Sequence, residues 1–280
     1  MRLLYKEILA KDQSTRILKF ILEAKDIALK AKPGQFVVLM VKKEGERIPL
    51  TIVEALPQEG TIILIAQEVG LTTKLLAQMK VGESLYALVG PLGNPTPIKN
   101  YGRVILVGGG VGIAELYPVA KALKKADNHI TLILGARTKE VLILEAELKV
   151  LASDFYITTD DGSYKRKGVV TDVLKELLED SSGVYNFIYA VGPVPMMLAV
   201  SQITKNYNLP TVVSLNSLMV DGTGMCGCCR LTIGGRTRFV CIDGPDFDAH
   251  SVNWQELINR NRMYVEKEKE ICKLYEKTTS

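Results

Sequence analysis

The run Val104-Ile105-Leu106-Val107, followed without a break by Gly108-Gly109-Gly110-Val111-Gly112, constrains the fold more than any other segment. Four apolar residues with no polar alternation need cover on both faces, which favours a parallel sheet wrapped by helices. A helical pattern over about residues 114–126 then carries the chain back across that sheet. Further apolar strands fit residues 130–134, 155–158, 187–191 and 212–214, and helices fit 144–152, 169–178 and 195–207. Alternation at this spacing predicts a parallel α/β domain over residues 99–215.

The glycines have a chemical meaning as well. With no Cβ in the way, backbone amides at 109, 110 and 112 can approach a pyrophosphate, and the start of the following helix favours negative charge. The spacing departs from G-x-G-x-x-G, because Glu115 stands at the third position. Alone, the run also suits a tight strand–helix turn. Three more strand ends are similarly equipped: Gly135-Ala136-Arg137-Thr138, Thr159-Asp160-Asp161-Gly162-Ser163, and Gly192-Pro193. Such residues are common in ordinary loops, but open α/β sheets bind ligands at the carboxyl ends of their strands. Four equipped ends in one sheet favour a nucleotide site.

Residues 1–98 read differently. Short β-rich runs at 36–41, 61–67 and 84–89 are punctuated by Pro33-Gly34, Glu59-Gly60, Val81-Gly82 and Gly90-Pro91, with one helix at about 71–79. This spacing suits a small antiparallel barrel. Within it, Arg47, Pro49 and Thr51 share one face of an extended strand. That face can offer a guanidinium to a phosphate and a hydroxyl to a heteroatom, although a surface arginine on a strand is the commoner case.

Four of the five cysteines lie in residues 226–241. Cys226 and Cys229 are separated by two residues, and Cys241 follows after eleven more. Plant-type [2Fe–2S] loops use C-x4-C-x2-C…C, and the position five before Cys226 is Asp221. The loop therefore reads as a [2Fe–2S] site with Asp221, Cys226, Cys229 and Cys241 as ligands and Cys228 outside the set. Zinc and buried, inert thiols are the alternatives, but zinc needs four ligands and adjacent cysteines seldom both reach one tetrahedral ion. A hairpin over 231–233 and 237–241 and one charged helix over 254–276 complete a third unit, residues 216–280.

Composition excludes several classes. A net charge of +4, from 35 basic and 31 acidic residues, gives no nucleic-acid footprint. No apolar run approaches the ~18 residues of a membrane span, and the N-terminal residues lack a signal-peptide core. A cytoplasmic, non-membrane protein is expected. Only His129 and His250 are present, too few for a histidine-rich metal centre.

In this order, Pro33-Gly34-Gln35-Phe36, Arg47-Ile48-Pro49-Leu50-Thr51, the 107–112 run, Asp160-Asp161-Gly162-Ser163, Gly192-Pro193 and the cysteine loop resemble one family over nearly the whole chain. It is the ferredoxin-NADP reductase-like flavoproteins, in the branch with a C-terminal [2Fe–2S] cluster. The branch includes electron-transfer subunits of dihydroorotate dehydrogenase, which typically carry cysteine at the position of Asp221. With Asp221, the chain is more similar to the small subunits of NADH-dependent ferredoxin:NADP oxidoreductases, also called sulfide dehydrogenase beta subunits.

The resemblance implies an FAD-binding barrel, an NAD(P)-binding α/β domain and a cluster unit. It implies that Arg47 contacts the FAD diphosphate, with Pro49 and Leu50 beside it, and that Thr51 approaches the hydride-accepting nitrogen. Ile65, Ala66, Gln67, Gly70, Thr72 and Thr73 would enclose the rest of the FAD. Gly109, Gly110, Gly112, Arg137, Asp161, Gly192 and Pro193 would hold NAD(H), which is expected over NADP(H). The implied partner is a large subunit with a second FAD and [4Fe–4S] clusters, which bifurcates electrons and delivers them to ferredoxin. Two departures stand out: Pro49 replaces the family's aromatic residue, and Glu115 replaces a common proline. The competing readings are a dihydroorotate dehydrogenase subunit and a non-catalytic redox-sensing module.

Overall fold

The structure is a computed structural model that describes residues 1–180 and 185–279; residues 181–184 and Ser280 lie outside the described set. The barrel comprises β1 (Leu3–Lys11), β2 (Arg16–Glu23), a short α1 (Lys25–Ala28), β3 (Phe36–Met40), β4 (Arg47–Leu56), β5 (Thr61–Gln67), α2 (Leu71–Gln78) and β6 (Ala87–Leu92). The strands run β1-β2-β5-β4-β3-β6, each pair antiparallel. Closure comes from the segment before β6: Leu3 N donates to Glu83 O at 2.8 Å, and Leu85 N to Met1 O at 3.0 Å. Fully buried Leu22, Val37, Leu39, Ile62, Leu64 and Leu76 fill the interior.

The strand β6 lies three residues later than the β-rich run at 84–89, because 82–85 is used to close the barrel instead. β1 and β2 were not singled out by the sequence pattern. Their burial alternates poorly, since β1 exposes Leu4, Tyr5 and Ile8.

The second sheet contains β7 (Arg103–Gly109), β8 (His129–Ala136), β9 (Asp154–Thr159), the two-residue β10 (Arg166–Lys167), β11 (Phe187–Val191) and β12 (Thr211–Ser214). Between them run α3 (Ile113–Lys125), α4 (Glu145–Lys149), α5 (Val170–Glu179) and α6 (Val194–Asn206). The order β10-β9-β8-β7-β11-β12 is parallel throughout. The chain leaves β7 toward β8 and later returns to β11 on its other side. The carboxyl ends of β7 and β11 are thus the switch point, where such sheets bind ligands.

The third segment has a hairpin, β13 (Arg230–Ile233) and β14 (Arg236–Phe239), then α7 (Val240–Asp243) and β15 (Asp246–Asp248). Cys241 therefore sits on a helical turn and not at the end of a strand. β15 pairs antiparallel with β12, so this segment supplies the last strand of the parallel sheet. A single terminal helix was expected; the structure has two, α8 (Trp254–Asn261) and α9 (Val265–Thr279). The break at 262–264 redirects α9 onto α2, where Tyr275 OH donates to Gln78 Oε1 at 2.6 Å. No helix among the described residues is long and apolar enough to cross a membrane.

At the switch point the backbones touch. A Cβ on Gly112 would lie 2.8 Å from Gly192 Cα and 2.8 Å from Val191 O, which are main-chain atoms that cannot rotate away. A Cβ on Gly70, by contrast, meets nothing within 4 Å. Gly112→Ala should cost about 1–3 kcal/mol by overpacking, whereas Gly70→Ala, which meets no atom, should cost less, about 0.5–1 kcal/mol from the poorer N-cap of α2. Urea unfolding of the two variants measures the difference, and equal midpoints would contradict this packing.

Candidate functional site

Two clefts open on the carboxyl ends of these strands. The first, about 470 Å³, lies between the barrel and the C-terminal segment. Arg47, Pro49, Leu50 and Thr51 of β4 form one wall, Ile65, Ala66 and Gln67 of β5 another. Gly70, Thr72 and Thr73 close one end, where α2 begins. All ten of these residues were expected to share a site, and they line one cavity. The Thr73 hydroxyl accepts from Val69 N at 2.9 Å and Gly70 N at 3.0 Å, which fixes the entry to α2. Arg47 is exposed and, among the described residues, forms no salt bridge. An uncommitted guanidinium beside a helix start suits a diphosphate.

The second cleft, about 650 Å³, lies over the switch point. Gly109, Gly110, Gly112, Gly192 and Pro193 form its floor and Arg137 its rim. Asp161 does not line it. Its carboxylate turns back to Ser163 N at 3.0 Å and Ser163 Oγ at 2.7 Å, and the neighbouring Asp160 faces the cleft instead. Arg137 also reaches the β1–β2 turn, where its guanidinium donates to Thr15 Oγ1 and lies 3.8 Å from Asp12. Each cleft contains a buried hydroxyl with no partner among the described residues: Ser217 in the first, Thr158 in the second. Buried polar atoms are rarely left unpaired, so both clefts have the character of ligand sites.

The clefts join. Gln67, Val111, Glu115, Ser214 and Asn216 line both. Glu115 is in the first turn of α3, with the hydroxyls of Thr51 and Ser214 in hydrogen-bonding reach. Burial pushes its carboxyl up to about 7; the Thr51 hydrogen bond opposes the shift and the charge of Asp246 adds to it. Asp246, on β15, accepts from Thr96 Oγ1 at 2.5 Å and Tyr189 OH at 3.1 Å. Burial pushes it up to about 6 against those hydrogen bonds. Sequence reasoning noted Glu115 only as a departure and missed Asp246, Ser214 and Tyr189. Nothing local marks a three-residue strand such as β15.

The cysteine loop precedes β15 in the chain. Asp221 accepts from Thr223 N at 2.8 Å and from Cys226 N at 2.7 Å, and these amides hold its carboxyl below the ordinary range. Cys229 and Cys241 are buried with their sulfurs 3.2 Å apart. Burial, then the Cys229 contact, pushes the Cys241 thiol up to about 12, so binding metal there must release a proton. The candidate ligands thus come as two pairs, Asp221 with Cys226 and Cys229 with Cys241. Among the described residues no three such groups converge on one point. Two pairs of donors fit a two-iron cluster better than a single tetrahedral zinc. Arg260 of α8 braces the loop by donating to Cys228 O at 2.8 Å.

Three family models match in series. They are an oxidoreductase FAD-binding domain over residues 1–96, an oxidoreductase NAD-binding domain over 106–202, and the iron–sulfur cluster binding domain of dihydroorotate dehydrogenase B over 216–253. A Thermotoga maritima protein, an electron transfer subunit homolog of dihydroorotate dehydrogenase B, is 48% identical over 90% of this chain and 89% of its own length. The electron transfer subunit of that enzyme from Geobacillus thermodenitrificans is 35% identical over 85% and 93%. Among solved structures, that of an NADH-dependent reduced ferredoxin-NADP oxidoreductase, described for flavin-based electron bifurcation, aligns with a TM-score of 0.91. It is 44% identical and covers 100% of this chain and 98% of its own.

Glu115 rests at about 7 against an ordinary 4.5. A raised carboxyl contributes stability that is full below its unfolded value and is lost as pH rises through its folded one. The stability of wild type relative to Glu115→Gln should therefore fall by on the order of 2 kcal/mol as pH rises from about 4.5 to about 7.5. Urea titrations across that range measure the difference; a flat difference would mean that the carboxyl is not perturbed.

Proposed function

Because the chain belongs to the ferredoxin-NADP reductase-like flavoproteins with a C-terminal iron–sulfur domain, oxidoreductases that use FAD, NAD(H) and a [2Fe–2S] cluster, we propose that it is the small subunit of an electron-bifurcating NADH-dependent ferredoxin:NADP oxidoreductase. It exchanges hydride between NAD(H) and FAD and exchanges single electrons through the cluster with a larger flavin- and [4Fe–4S]-containing subunit that reduces ferredoxin. The observation that carries this reading is the end-to-end likeness to the solved NADH-dependent enzyme, terminal helix included. Asp221 in place of a first cysteine supports it.

Bound FAD supplies the conversion between hydride and single electrons. The residues supply position. Arg47 and the start of α2 would hold the diphosphate, and Thr51 of the same wall, whose hydroxyl also reaches Glu115, would lie beside the flavin. Gly109, Gly110 and Gly112 let the dinucleotide pyrophosphate approach the backbone, with Gly192 and Pro193 opposite. Gln67, Val111 and Asn216 bound the junction. Asp221, Cys226, Cys229 and Cys241 would hold the cluster.

A second reading, electron transfer subunit of a dihydroorotate dehydrogenase, is favoured by the family matched at 216–253 and by the curated relatives. The two readings differ in partner. The native complex purified on a tagged chain should couple NADPH oxidation to ferredoxin and NAD+ reduction; dihydroorotate-dependent NAD+ reduction without ferredoxin activity would establish the second. In the same complex, Asp221→Cys should alter the electron paramagnetic resonance spectrum and midpoint potential of the [2Fe–2S] cluster, since oxygen is exchanged for sulfur at iron. An unchanged spectrum and potential would show that Asp221 does not bind iron.

A further inference from the structure

Glu115 stands where the two clefts meet, three residues past Gly112. A dinucleotide laid with its pyrophosphate on the glycine run has one end able to enter that junction. Few charges compete there. Thr51 of β4 and Ser214 of β12 offer Glu115 hydroxyls, Asp246 of β15 lies behind Ser214, and Tyr189 of β11 is fully buried against the pair. On β4, Glu54 is paired with Lys121 of α3, while Arg47 stands four residues from Thr51. Among the described residues neither Glu115 nor Asp246 forms a salt bridge.

A carboxylate without a cation is a poor neighbour for another negative charge and a good one for a positive ring. The oxidised nicotinamide ring carries one positive charge, and the reduced ring is neutral. Their shapes differ little.

We propose that Glu115 distinguishes the two redox states of the dinucleotide, its carboxylate holding the cationic oxidised nicotinamide in preference to the neutral reduced one. The inference rests on the reading that NAD(H) exchanges hydride at this junction. Favouring the bound oxidised form makes the bound reduced form a stronger hydride donor, so the carboxylate helps move electrons toward the flavin. The preference depends on pH with a definite sign. Glu115 is pushed up to about 7 by burial, so the carboxylate form, and with it the preference, is present above that pH and lost below it. A cation beside the carboxyl lowers its pKa. Binding of NAD+ near neutral pH must therefore release a proton, and binding of NADH must not.

Isothermal titration of the FAD-loaded full chain with NAD+ and, standing for NADH because it cannot give hydride to the flavin, with the neutral analogue 1,4,5,6-tetrahydro-NADH, in buffers of different ionisation heat, reads both affinity and protons. From about pH 5.5 to about pH 8.5, NAD+ should tighten roughly fivefold to tenfold and the analogue by less than about twofold. Proton release should accompany NAD+ alone. Glu115→Gln should abolish both the pH dependence and the release. Asp246→Asn should leave the dependence but move its midpoint to lower pH, because the charge of Asp246 helps to raise Glu115. Identical pH profiles for NAD+ and the analogue would overturn the proposal. So would a profile that survives in Glu115→Gln, or one abolished by Asp246→Asn alone. If neither dinucleotide binds at any pH, the reading of the cleft as a NAD(H) site fails, and this inference falls with it.

Discussion

The three segments of the chain meet at one carboxyl group. Asp246 takes a hydrogen bond from Thr96 at the end of the barrel and another from Tyr189 on β11, while its backbone pairs with Ser214 on β12. The strand that carries it follows the cysteine loop, so the same residue holds the cluster unit against both other units. Neighbouring bonds reinforce the seam: Asn94 N donates to Gly244 O at 2.7 Å, and Leu215 N to Pro245 O at 2.9 Å. Remove this seam and the flavin cleft loses the wall formed by residues 214–219.

The seam also sets the chemistry. Because the first cleft ends at Thr51 and the second at the glycine run, Glu115 and Ser214 are shared between them. The cluster loop is anchored a few residues from the same point. Packing thus brings the two clefts and the segment that carries the cysteine loop together. The cost is two carboxyls partly removed from water, and both keep hydrogen-bond donors around them, as buried polar groups require.

Much of this was legible in the sequence, and the reason is local. The apolar strand 104–107 with its glycines, the strand at Phe187–Val191 and the Arg47–Thr51 face are each decided by residues adjacent in the chain. The ten positions that line the first cleft group together for the same reason: β4, the end of β5 and the start of α2 are short, continuous segments. Long-range pairing was not legible. β15 is three residues whose strand character comes from β12, and Asp246 becomes notable only beside Thr96 and Tyr189. Asp161 and Asp160 are indistinguishable in sequence, and the turn geometry that draws Asp161 to Ser163 decides which one faces the cleft. The terminal helix breaks at 262–264 and α9 packs on α2, a contact that no helical periodicity encodes.

The central claim is that nucleotide, flavin and cluster act across one shared junction. Anaerobic rapid mixing of the FAD- and cluster-loaded chain with NADH, followed by flavin absorbance and by electron paramagnetic resonance of the cluster, tests it directly. The flavin should bleach first and the signal of the reduced cluster should follow in the same molecules, without a partner subunit. A bleached flavin beside a cluster that stays oxidised, although its potential permits reduction, would contradict the account.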